Sequence, residues 1–395
     1  MPLPLKGIRV LDSTQALAGP HCSMMLAEYG ADVIKLEPPS GDPTRSAVPV
    51  NSGGLSLNFA MHNRNKRSIT LNLQSDKGKS LLHRLIPHFD VLIENYRPGV
   101  MARLGCGYDE LIRYRPGLIM LSLSGFGQTG PYAQRSADDK IVQAMSGFMD
   151  LTGEEDGPPT KVAGSPSDYI AALYGALAVS NAVLLRSQTG EGQYIDLSLL
   201  DGVVSTLASQ VGQYMATGDV LRRTGNLYPN AAADGAFATA DGCVYISTGG
   251  DRQWASLCRV LGWEELIDRD GYKTRPDRYK HYDEINGRIA EWMCSRSTAD
   301  VMGALLSENI SCGRVNTLAE MADDPQIEHR GLLFQFETDA WGKVPGVAMP
   351  FQSDKIGWVE PSAPPKIGEH NADILGSMLG LTRTDVEQLA VEGVL

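Results

Sequence analysis

The chain has 395 residues, of which 43% are hydrophobic and 21% are charged, and its formal net charge at pH 7 is −12. This composition is typical of a soluble globular protein with room for two domains, and the acidic balance excludes a general nucleic-acid surface, which needs a concentrated basic face. The six cysteines form no C-x-x-C pair and show no zinc-like spacing, so a reducing cytoplasm fits best.

Strand and helix patterns alternate in the first third of the chain. GIRVLD (7–12) and ADVIKLE (31–37) are apolar enough for buried strands, and PHCSMMLAEYG (20–30) between them is typical of a helix that stops at its glycine. Further strand patterns at RSITLNL, DVLIEN and LIMLSLSG alternate with helix patterns at DKGKSLLHRLIPHF and YDELIRYRP. This order predicts an α/β fold with a parallel sheet covered on both faces.

Ligands of such sheets bind where strands end in loops. The candidate loops are STQALAGP (13–20), ENYRPG (94–99) and SGFGQTGPY (124–132). The last contains G-x-G-x-x-G, but no helix follows it directly, so we favour an active-site loop or a plain turn over a dinucleotide site. The chain has no G-x-S-x-G, H-E-x-x-H or Walker motif, and its seven histidines show no i, i+4 pair and are assigned to core or surface.

The second half of the chain changes pattern near residue 225. The start MPLPLKGIRVLD lacks a secretory pattern, and the apolar run 169–185 is too short for a membrane span, so we interpret it as a buried helix. A strand that runs into a helix follows it. The segment 234–249 then alternates like a hairpin, and helix patterns follow at 282–296 and 298–309. We predict a large domain over 1–224, completed by 331–395, and a small α+β domain over 225–330.

Asp168 stands between a Ser-Pro-Ser turn and this apolar run, in GSPSDYIAALYGALAV (164–179). By spacing alone it is a preferred helix cap, since Asp accepts hydrogen bonds from the free amides of a first turn. A helix start also favours the ionised carboxylate, and a positioned carboxylate can attack an activated acyl carbon. Both interpretations, cap and nucleophile, stay open at this point.

Five blocks in a fixed order carry a resemblance that covers essentially the whole chain. They are GIRVLDSTQALAGPHCSMMLAEYGADVIKLEPPSGDPTR, NRNKRSITLN, VLIENYRPGVMARLG, LSGFGQTGPY and PPKIGEH. With them the chain resembles the class III coenzyme A transferases, the family of formyl-CoA transferase and carnitine CoA-transferase. The resemblance implies that Asp168 is the catalytic nucleophile, because the family's aspartate falls in this segment.

The mechanism that the resemblance implies has two covalent stages. The Asp168 carboxylate attacks a donor acyl-CoA, giving a mixed anhydride and free CoA thiolate, and the thiolate returns to give an aspartyl-CoA thioester. The acceptor carboxylate then repeats the sequence in reverse. CoA is a co-substrate, and neither ATP nor a metal is needed. Backbone amides near residues 15–18, or the Gln15 side chain, are the oxyanion candidates.

The resemblance also implies a set of CoA contacts, which carry over unevenly. They are Leu17, Ala18, Leu71, Asn72, Asn95, Tyr96, Arg97, Arg103 and Ala137. Leu17 replaces a glutamine of formyl-CoA transferase, and Gln74 and Ser136 each replace a lysine. Which of Lys66, Arg67 or Lys140 compensates for the lost positive charge is left open.

Two departures from the family pattern bear on the substrate. Between Leu227 and Gly235 the chain has LYPNAAADG and lacks the tetraglycine loop of formyl-CoA transferase, which disfavours a formyl-CoA/oxalate enzyme. Asp138 replaces the histidine of the racemase branch. An α-methylacyl-CoA racemase would therefore lack one acid/base group. Succinyl-CoA with a dicarboxylate acceptor is preferred; the alternatives are a racemase-type isomerase, a non-catalytic acyl-CoA-binding protein and a carboxyl-activating subunit of a multi-enzyme pathway.

The family fold implies a Rossmann-like large domain that contains both chain ends, within an interlocked, ring-like homodimer. The partners expected from the resemblance are acyl-CoA, a carboxylic acid and a second copy of the chain, with no nucleic acid and no membrane.

Overall fold

The computed structural model describes residues 1–229, 231–248, 250–338 and 341–395. Its contacts divide the chain into two compact units, one formed by 1–148, 161–218 and 329–395, and the other by 149–160 and 219–328. Two positions of the sequence analysis lie outside the described residues: Asn230, in the segment compared with the tetraglycine loop, and Gly249, the last residue of the predicted hairpin.

The described part of the chain forms eleven strands. They are β1 (Arg9–Ser13), β2 (Asp32–Glu37), β3 (Arg67–Thr70), β4 (Val91–Glu94), β5 (Ile119–Ser124), β6 (Gln193–Ser198), β7 (Asp234–Ala238), β8 (Cys243–Ser247), β9 (Ser311–Arg314), β10 (Leu333–Thr338) and β11 (Gly342–Val347).

The same residues form seventeen α-helices and three short 3₁₀ helices, the latter at Pro43–Ser46, Ile86–His88 and Glu264–Leu266. The α-helices are α1 (Ala18–Glu28), α2 (Leu57–Asn63), α3 (Asp76–Leu85), α4 (Val100–Arg103), α5 (Tyr108–Leu111), α6 (Asp139–Met145), α7 (Pro166–Thr189), α8 (Leu199–Thr206), α9 (Ala208–Thr217), α10 (Asp251–Leu261), α11 (Arg275–Tyr279), α12 (Tyr282–Cys294), α13 (Thr298–Ser307), α14 (Leu318–Ala322), α15 (Pro325–His329), α16 (Asn371–Leu379) and α17 (Arg383–Val391).

The first unit is built on a six-stranded sheet in the order β3-β2-β1-β4-β5-β6, with every neighbouring pair parallel. The predicted α/β fold with a parallel sheet is confirmed. The strand order reverses direction between β1 and β4, and such a switch point opens a crevice at the carboxyl ends of the strands. The predicted loops 13–20 and 94–99 leave the sheet at this point, and loop 124–132 follows the next strand.

Alternate residues of each strand pack on opposite faces of the sheet. Leu11 and Leu92 join the apolar side chains of α3, α16 and α17 on one face. Val10 and Ile93 join those of α1 and α7 on the other. The near-continuous apolar strands that the sequence shows are those expected of a sheet buried on both sides.

The C-terminal segment packs on the β3 edge of this sheet. The backbone N–H of His370 donates to the Ser68 carbonyl at 2.9 Å, and the N–H of Asn72 donates to the Val394 carbonyl at 2.8 Å. A hairpin of β10 and β11, which the sequence analysis did not predict, also belongs to the first unit. Its Val344 is buried against Phe59 of α2.

The prediction that the apolar run 169–185 forms a buried helix is wrong for the single chain. Most of the outward face of α7 is apolar and uncovered: Leu173, Leu177 and Leu184 are 54%, 56% and 59% exposed. The helix buries mainly small residues, such as Ala171 and Gly175, against the sheet and α1. Among the described residues it is also the one helix that is long and apolar enough to cross a membrane, a finding that rests on length and composition alone.

The second unit is a small α+β structure. Strands β7, β8 and β9 form an antiparallel sheet in that order, and the predicted hairpin corresponds to β7 and β8. The predicted helices at 282–296 and 298–309 are observed as α12 and α13. Trp254, Ile289 and Val301 pack with the sheet into a separate apolar core.

Candidate active site

Asp168 lies in the first turn of α7, but it does not occupy the capping position. The residue before the helix is Ser165, and Pro166 takes the first helical position, where its missing N–H costs nothing. Asp168 is therefore the third helical residue. The capping interpretation is wrong, and among the described residues none donates a hydrogen bond to the Asp168 carboxylate.

The start of α7 is capped instead by a carboxylate from another helix. Asp139, buried in the first turn of α6, accepts the backbone N–H of Ser167 at 3.0 Å through Oδ1. Its Oδ2 accepts from the Gln143 side chain at 2.8 Å, and Gln143 in turn accepts the N–H of Val162 at 3.0 Å. Asp139 thus fixes the turn that carries Asp168. The sequence analysis assigned no role to Asp139.

The carboxyl group of Asp168 is harder to ionise than the sequence analysis expected. Burial, followed by the charges of Asp139 and Asp138, raises its pKa from 3.8 to about 7, and only Lys140 opposes the shift. The expectation that the helix start would keep this carboxylate fully ionised is wrong, because burial and two like charges outweigh the helix. Protonated and ionised Asp168 therefore coexist near neutral pH.

Asp138, the residue at the racemase histidine position, caps α6. Its Oδ1 accepts the backbone N–H groups of Lys140 at 3.1 Å and Ile141 at 3.2 Å, and its Oδ2 pairs with the Lys140 ammonium at 3.1 Å. Burial raises the pKa of Asp138, but these contacts outweigh burial and hold the pKa below its ordinary value. Asp138 is thus a carboxylate at neutral pH and is poorly suited to deliver a proton.

The loop after β1 is tied to the loop after β4 by two hydrogen bonds. The Gln15 N–H donates to the Asn95 side-chain carbonyl at 2.8 Å, and the Asn95 amide donates to the Gln15 carbonyl at 2.8 Å. The backbone N–H of Gln15 is therefore occupied, which removes it from the predicted oxyanion donors and leaves the side chain. Ala16 has a φ of 66°, a left-handed conformation that costs free energy in a residue other than glycine.

Leu17 and Ala18 lie where this loop enters α1. Leu17 precedes the helix and Ala18 is its first residue, with its side chain buried. The first N–H groups of any helix lack a helical acceptor. The backbone N–H groups of Leu17 and Ala18 therefore lie where the loop after β1 enters α1.

The remaining predicted CoA residues near β4 converge from two loops. The Arg97 guanidinium donates to the Ser136 hydroxyl at 3.1 Å, which joins the loop after β4 to the loop before α6. The Tyr96 ring packs against the core, and its hydroxyl oxygen lies 3.3 Å from the Ser13 hydroxyl oxygen. Arg103 is exposed at the end of α4, and Ala137 packs beside Leu123.

Leu71 and Asn72 lie at the other side of the crevice, after β3. Leu71 is buried in the core, so only its backbone faces a ligand. The Asn72 amide donates to the Gly393 carbonyl at 3.2 Å, and its side-chain carbonyl accepts the N–H of Gln74. Because β2 separates β3 from β1, these residues are about 10 Å from the β1 loop.

Of the three cations considered as replacements for the missing lysines, two are committed elsewhere. Lys66 is buried and bonded to Asp12. Arg67 begins β3 and pairs at 2.6 Å with Asp32, which begins β2, so both lie at the amino edge of the sheet. Lys140 is exposed beside Asp138 and is the one of the three near the predicted site.

A network of opposite charges is buried close to the loop after β1. The Lys66 ammonium donates to the Asp12 carboxylate at 2.8 Å, to the Pro20 carbonyl and to the Asn63 side chain. Lys66 and Lys35 outweigh burial and hold the pKa of Asp12 below its ordinary value. Burial lowers the pKa of Lys66 to about 8 against the opposing charge of Asp12, so both groups are charged at pH 7.

The sequence analysis missed a histidine pair that contacts Tyr169, the residue after Asp168. The Nδ1 atoms of His21, in α1, and His62, in α2, are 3.3 Å apart. The ring of Tyr169 contacts both imidazoles edge to face, with centroid distances of 5.0 and 5.8 Å. The two histidines are 41 residues apart, so no local spacing could have revealed the pair.

Comparisons with known proteins identify the family of the chain. The model of CoA-transferase family III matches residues 5–371. The succinate–glutarate CoA-transferase of Agrobacterium fabrum is 38% identical over 390 residues, which cover 96% of this chain and 97% of the relative. The succinyl-CoA–D-citramalate CoA-transferase of Chloroflexus aurantiacus is 36% identical over 398 residues, which cover 100% of this chain and 98% of the relative.

Among solved structures, a CaiB/BaiF family protein from Brucella suis matches with a TM-score of 0.86 and 35% identity. The match covers 96% of this chain and all of that chain. The resemblance found in the five sequence blocks is thereby confirmed over the whole chain. The chain therefore belongs to CoA-transferase family III, and the protein is a CoA-transferase that acts on CoA thioesters.

Proposed function

We propose that the protein transfers CoA from succinyl-CoA to a short dicarboxylic acid, with Asp168 as the nucleophile. The observation that carries the proposal is the Asp168 carboxylate itself, which is positioned in a helix turn, free of hydrogen bonds from the described residues and surrounded by like charge. The printed names of two full-length relatives, a succinate–glutarate and a succinyl-CoA–citramalate enzyme, support the substrate class.

The reaction begins with attack of ionised Asp168 on the thioester carbonyl. The C–S bond breaks, CoA leaves as the thiolate, and a succinyl–aspartyl anhydride remains. The thiolate attacks the aspartyl carbonyl, releases succinate and forms an aspartyl-CoA thioester. The acceptor carboxylate attacks this thioester to form a new anhydride, and the thiolate then takes the acceptor acyl group and frees Asp168. Every bond made is matched by a bond broken, so the cycle consumes no ATP.

The surroundings of Asp168 suit this cycle. A carboxylate with a pKa of about 7 is more basic than an ordinary aspartate, and a more basic oxygen is a stronger nucleophile. Acylation also removes its negative charge. The repulsion by Asp139 and Asp138 is then relieved, so both covalent intermediates are favoured relative to the free ionised enzyme.

We assign the CoA contacts to the crevice at the switch point. Leu17 and Ala18 contribute backbone groups, and Leu71 and Asn72 border the crevice after β3. Asn95 and Tyr96 shape the loop after β4 through their bonds to Gln15 and Ser13. The side chains that reach the ribose and phosphates are those of Arg97 and Arg103, with Ala137 lining the adjacent loop. The Gln15 side-chain amide is the proposed oxyanion donor. No cofactor beyond CoA takes part.

Transfer from succinyl-CoA to glutarate, followed by chromatography of the CoA esters, tests the proposal. Glutaryl-CoA should form with the wild type and not with Asp168→Ala. Asp201→Asn, an exposed acid in the first turn of α8, is the matched control and should retain activity. An isomerase would instead exchange the α-proton of a 2-methylacyl-CoA with deuterated water without an acceptor acid, and that result with no transfer would overturn the proposal.

The racemase alternative has weaker support from the site. Its proton chemistry needs two acid/base groups of suitable pKa, and Asp138 is an ionised helix cap. A non-catalytic acyl-CoA-binding protein would have no use for an unpaired, difficult-to-ionise carboxylate in its first α7 turn. A role as the carboxyl-activating subunit of a larger pathway uses the same Asp168 chemistry.

We also propose that the protein is a homodimer of two-domain chains, with 225–330 as the small domain, and that it works in the cytoplasm. The exposed leucines of α7 support the dimer, because an apolar face of this kind is normally covered. Leu177→Glu with Leu184→Glu should convert dimer to monomer in sedimentation velocity. Leu306→Glu, equally exposed on α13, should not; a wild-type monomer would contradict the dimer.

A further inference from the structure

The histidine pair that contacts Tyr169 has no part in the reaction proposed above. His62 is only 4% exposed and His21 is half-buried, and their rings stand almost perpendicular with centroids 5.3 Å apart. An apolar pair would fill this largely buried position without needing hydrogen-bond partners. Two imidazoles joined through their Nδ1 atoms are therefore unusual here. The pair is therefore a candidate binding site.

The pair contacts the residue that follows the reacting aspartate. Tyr169 directly follows Asp168 in α7 and contacts both imidazoles. Consecutive residues of a helix point about 100° apart, so Asp168 and the histidine-bound Tyr169 occupy neighbouring sides of one turn. A short acyl chain that is attached to Asp168 can lie along this turn with its far end near the imidazoles.

The protonation of the pair leaves hydrogen-bonding atoms unused. Burial, helped by nearby positive charge, lowers the pKa of His21 to about 4 and that of His62 to about 3, so both rings are neutral at pH 7. Of two neutral rings joined through Nδ1, one donates and the other accepts, and the accepting ring carries its proton on Nε2. Neither Nε2 atom has a hydrogen-bond partner among the residues that the structure describes.

Positive charge lies close to these free nitrogens. The charges of Arg64 and Lys66 both act on the two rings. Each of these cations is itself paired with a buried carboxylate, Arg64 with Glu28 and Lys66 with Asp12. A carboxylate that enters this cluster therefore gains mainly from the free N–H donor.

We propose that His21 and His62 form the subsite that recognises the far carboxylate of the dicarboxylic acyl group while its other end reacts at Asp168. The free Nε2–H of the pair donates to that carboxylate, and Tyr169 holds the two rings in place. This inference rests on the proposed function and names the residues that select a dicarboxylic over a monocarboxylic acid.

Acids of equal length provide the test. Glutarate and valerate have the same carbon chain, and valerate lacks only the second carboxylate. For the wild type kcat/KM should favour glutarate over valerate. In His21→Phe and in His62→Leu the ratio of the two kcat/KM values should fall about 10- to 100-fold, the usual worth of a hydrogen bond to a charged group. The loss should appear in the KM for glutarate more than in kcat.

Three further variants separate recognition from structure. His21→Gln places an amide N–H near the position of Nε2 and should restore part of the preference, whereas His21→Asn reaches only the position of Nδ1 and should not. His83→Phe is the matched control, because His83 also stacks on a tyrosine, Tyr114, but lies on α3 and is bonded to the Gly105 carbonyl. It should keep the wild-type ratio.

Equal losses with glutarate and valerate in both variants would overturn the inference, as would an unchanged ratio or a wild type that does not discriminate. If the His62→Leu variant fails to fold because His62 is buried, the His21 variants alone test the inference. Mass spectrometry of the wild type with succinyl-CoA distinguishes a failure of the histidine subsite from a failure of the proposed function. An Asp168 adduct together with an unchanged ratio refutes only the histidine subsite, and no adduct on Asp168 refutes the proposed function.

Discussion

Two clusters of charge lie near the carboxyl edge of the large sheet, and they are built in opposite ways. In the first, buried Lys66 and Asp12 neutralise each other at 2.8 Å, and the Lys66 ammonium donates two further hydrogen bonds. In the second, Asp168 faces Asp139 and Asp138, with exposed Lys140 as the only positive charge acting on it. The pKa of Asp12 is lowered, whereas that of Asp168 is raised to about 7.

The difference separates a charge that holds the fold from a charge that is available for chemistry. Asp12 is already compensated, so it gains nothing by reacting. Ionisation of Asp168 costs free energy because of burial and like charge. Forming an anhydride or a thioester removes the negative charge and with it this free-energy cost. Carboxylates of the same type thus take different roles according to the sign of the charges around them.

The largest expected effect comes from removing the reactive carboxylate. Asp168→Asn should lower kcat for CoA transfer by about 10⁴-fold or more, as expected when a covalent nucleophile is lost. Asp12→Asn should fold poorly, yet retain far more transfer activity per folded molecule. Steady-state rates normalised to the folded fraction from circular dichroism check this. Equal residual rates for the two variants would remove the distinction between the clusters.

The next effect concerns the paired cluster. Lys66→Met leaves Asp12 buried with a weaker set of partners and should lower the free energy of unfolding by about 3–5 kcal/mol. Lys140→Met breaks an exposed pair with Asp138 and should cost under about 1 kcal/mol. Urea unfolding of both variants measures the difference. Similar stabilities would show that the buried pair does not hold the fold.

A smaller effect tests the like-charge cluster. Because only ionised Asp168 attacks, the rate of acylation should rise with pH through about 7 and level off above it. Asp139→Asn removes the largest like charge and should move this rise to lower pH by about one unit. The pH profile of single-turnover acylation gives both values. A rise that stays near pH 7 in the variant would contradict the assigned cause.

The smallest effect is a gain in stability. The pKa of Asp168 is raised in the folded protein, so ionisation opposes folding, and stability falls as pH rises from about 3.8, the ordinary value, to about 7. Asp168→Asn escapes this cost and should be more stable than the wild type by about 1 kcal/mol above pH 7. The gain should vanish near pH 4. Thermal unfolding across this range checks it, and a pH-independent difference would contradict the shift.

Local patterns predicted the sheet well. Strands β1, β2 and β4 each contain a short apolar segment, and α12 and α13 show helical spacing, so burial and periodicity were visible in the sequence. The strand order was not, because it depends on contacts between distant segments. The burial of 169–185 was predicted wrongly, since its apolar residues face away from the single chain.

The site was predicted less completely, for a physical reason. The position of Asp168 after Ser-Pro-Ser could be found, but the carboxyl group that caps α7 comes from Asp139, 29 residues earlier. The direction of the Asp168 pKa shift follows from burial and then from this long-range approach of like charge. His21 and His62 likewise come from different helices. Spacing within one element cannot reveal groups that only the fold brings together.

Peptide mass spectrometry after incubation with succinyl-CoA tests the central claim most directly. The wild type is mixed with the thioester, trapped with hydroxylamine and digested, and Asp168→Asn serves as the control. The account predicts an aspartyl hydroxamate at Asp168 that depends on the acyl-CoA. An unmodified Asp168 in a chain that still transfers CoA would contradict it.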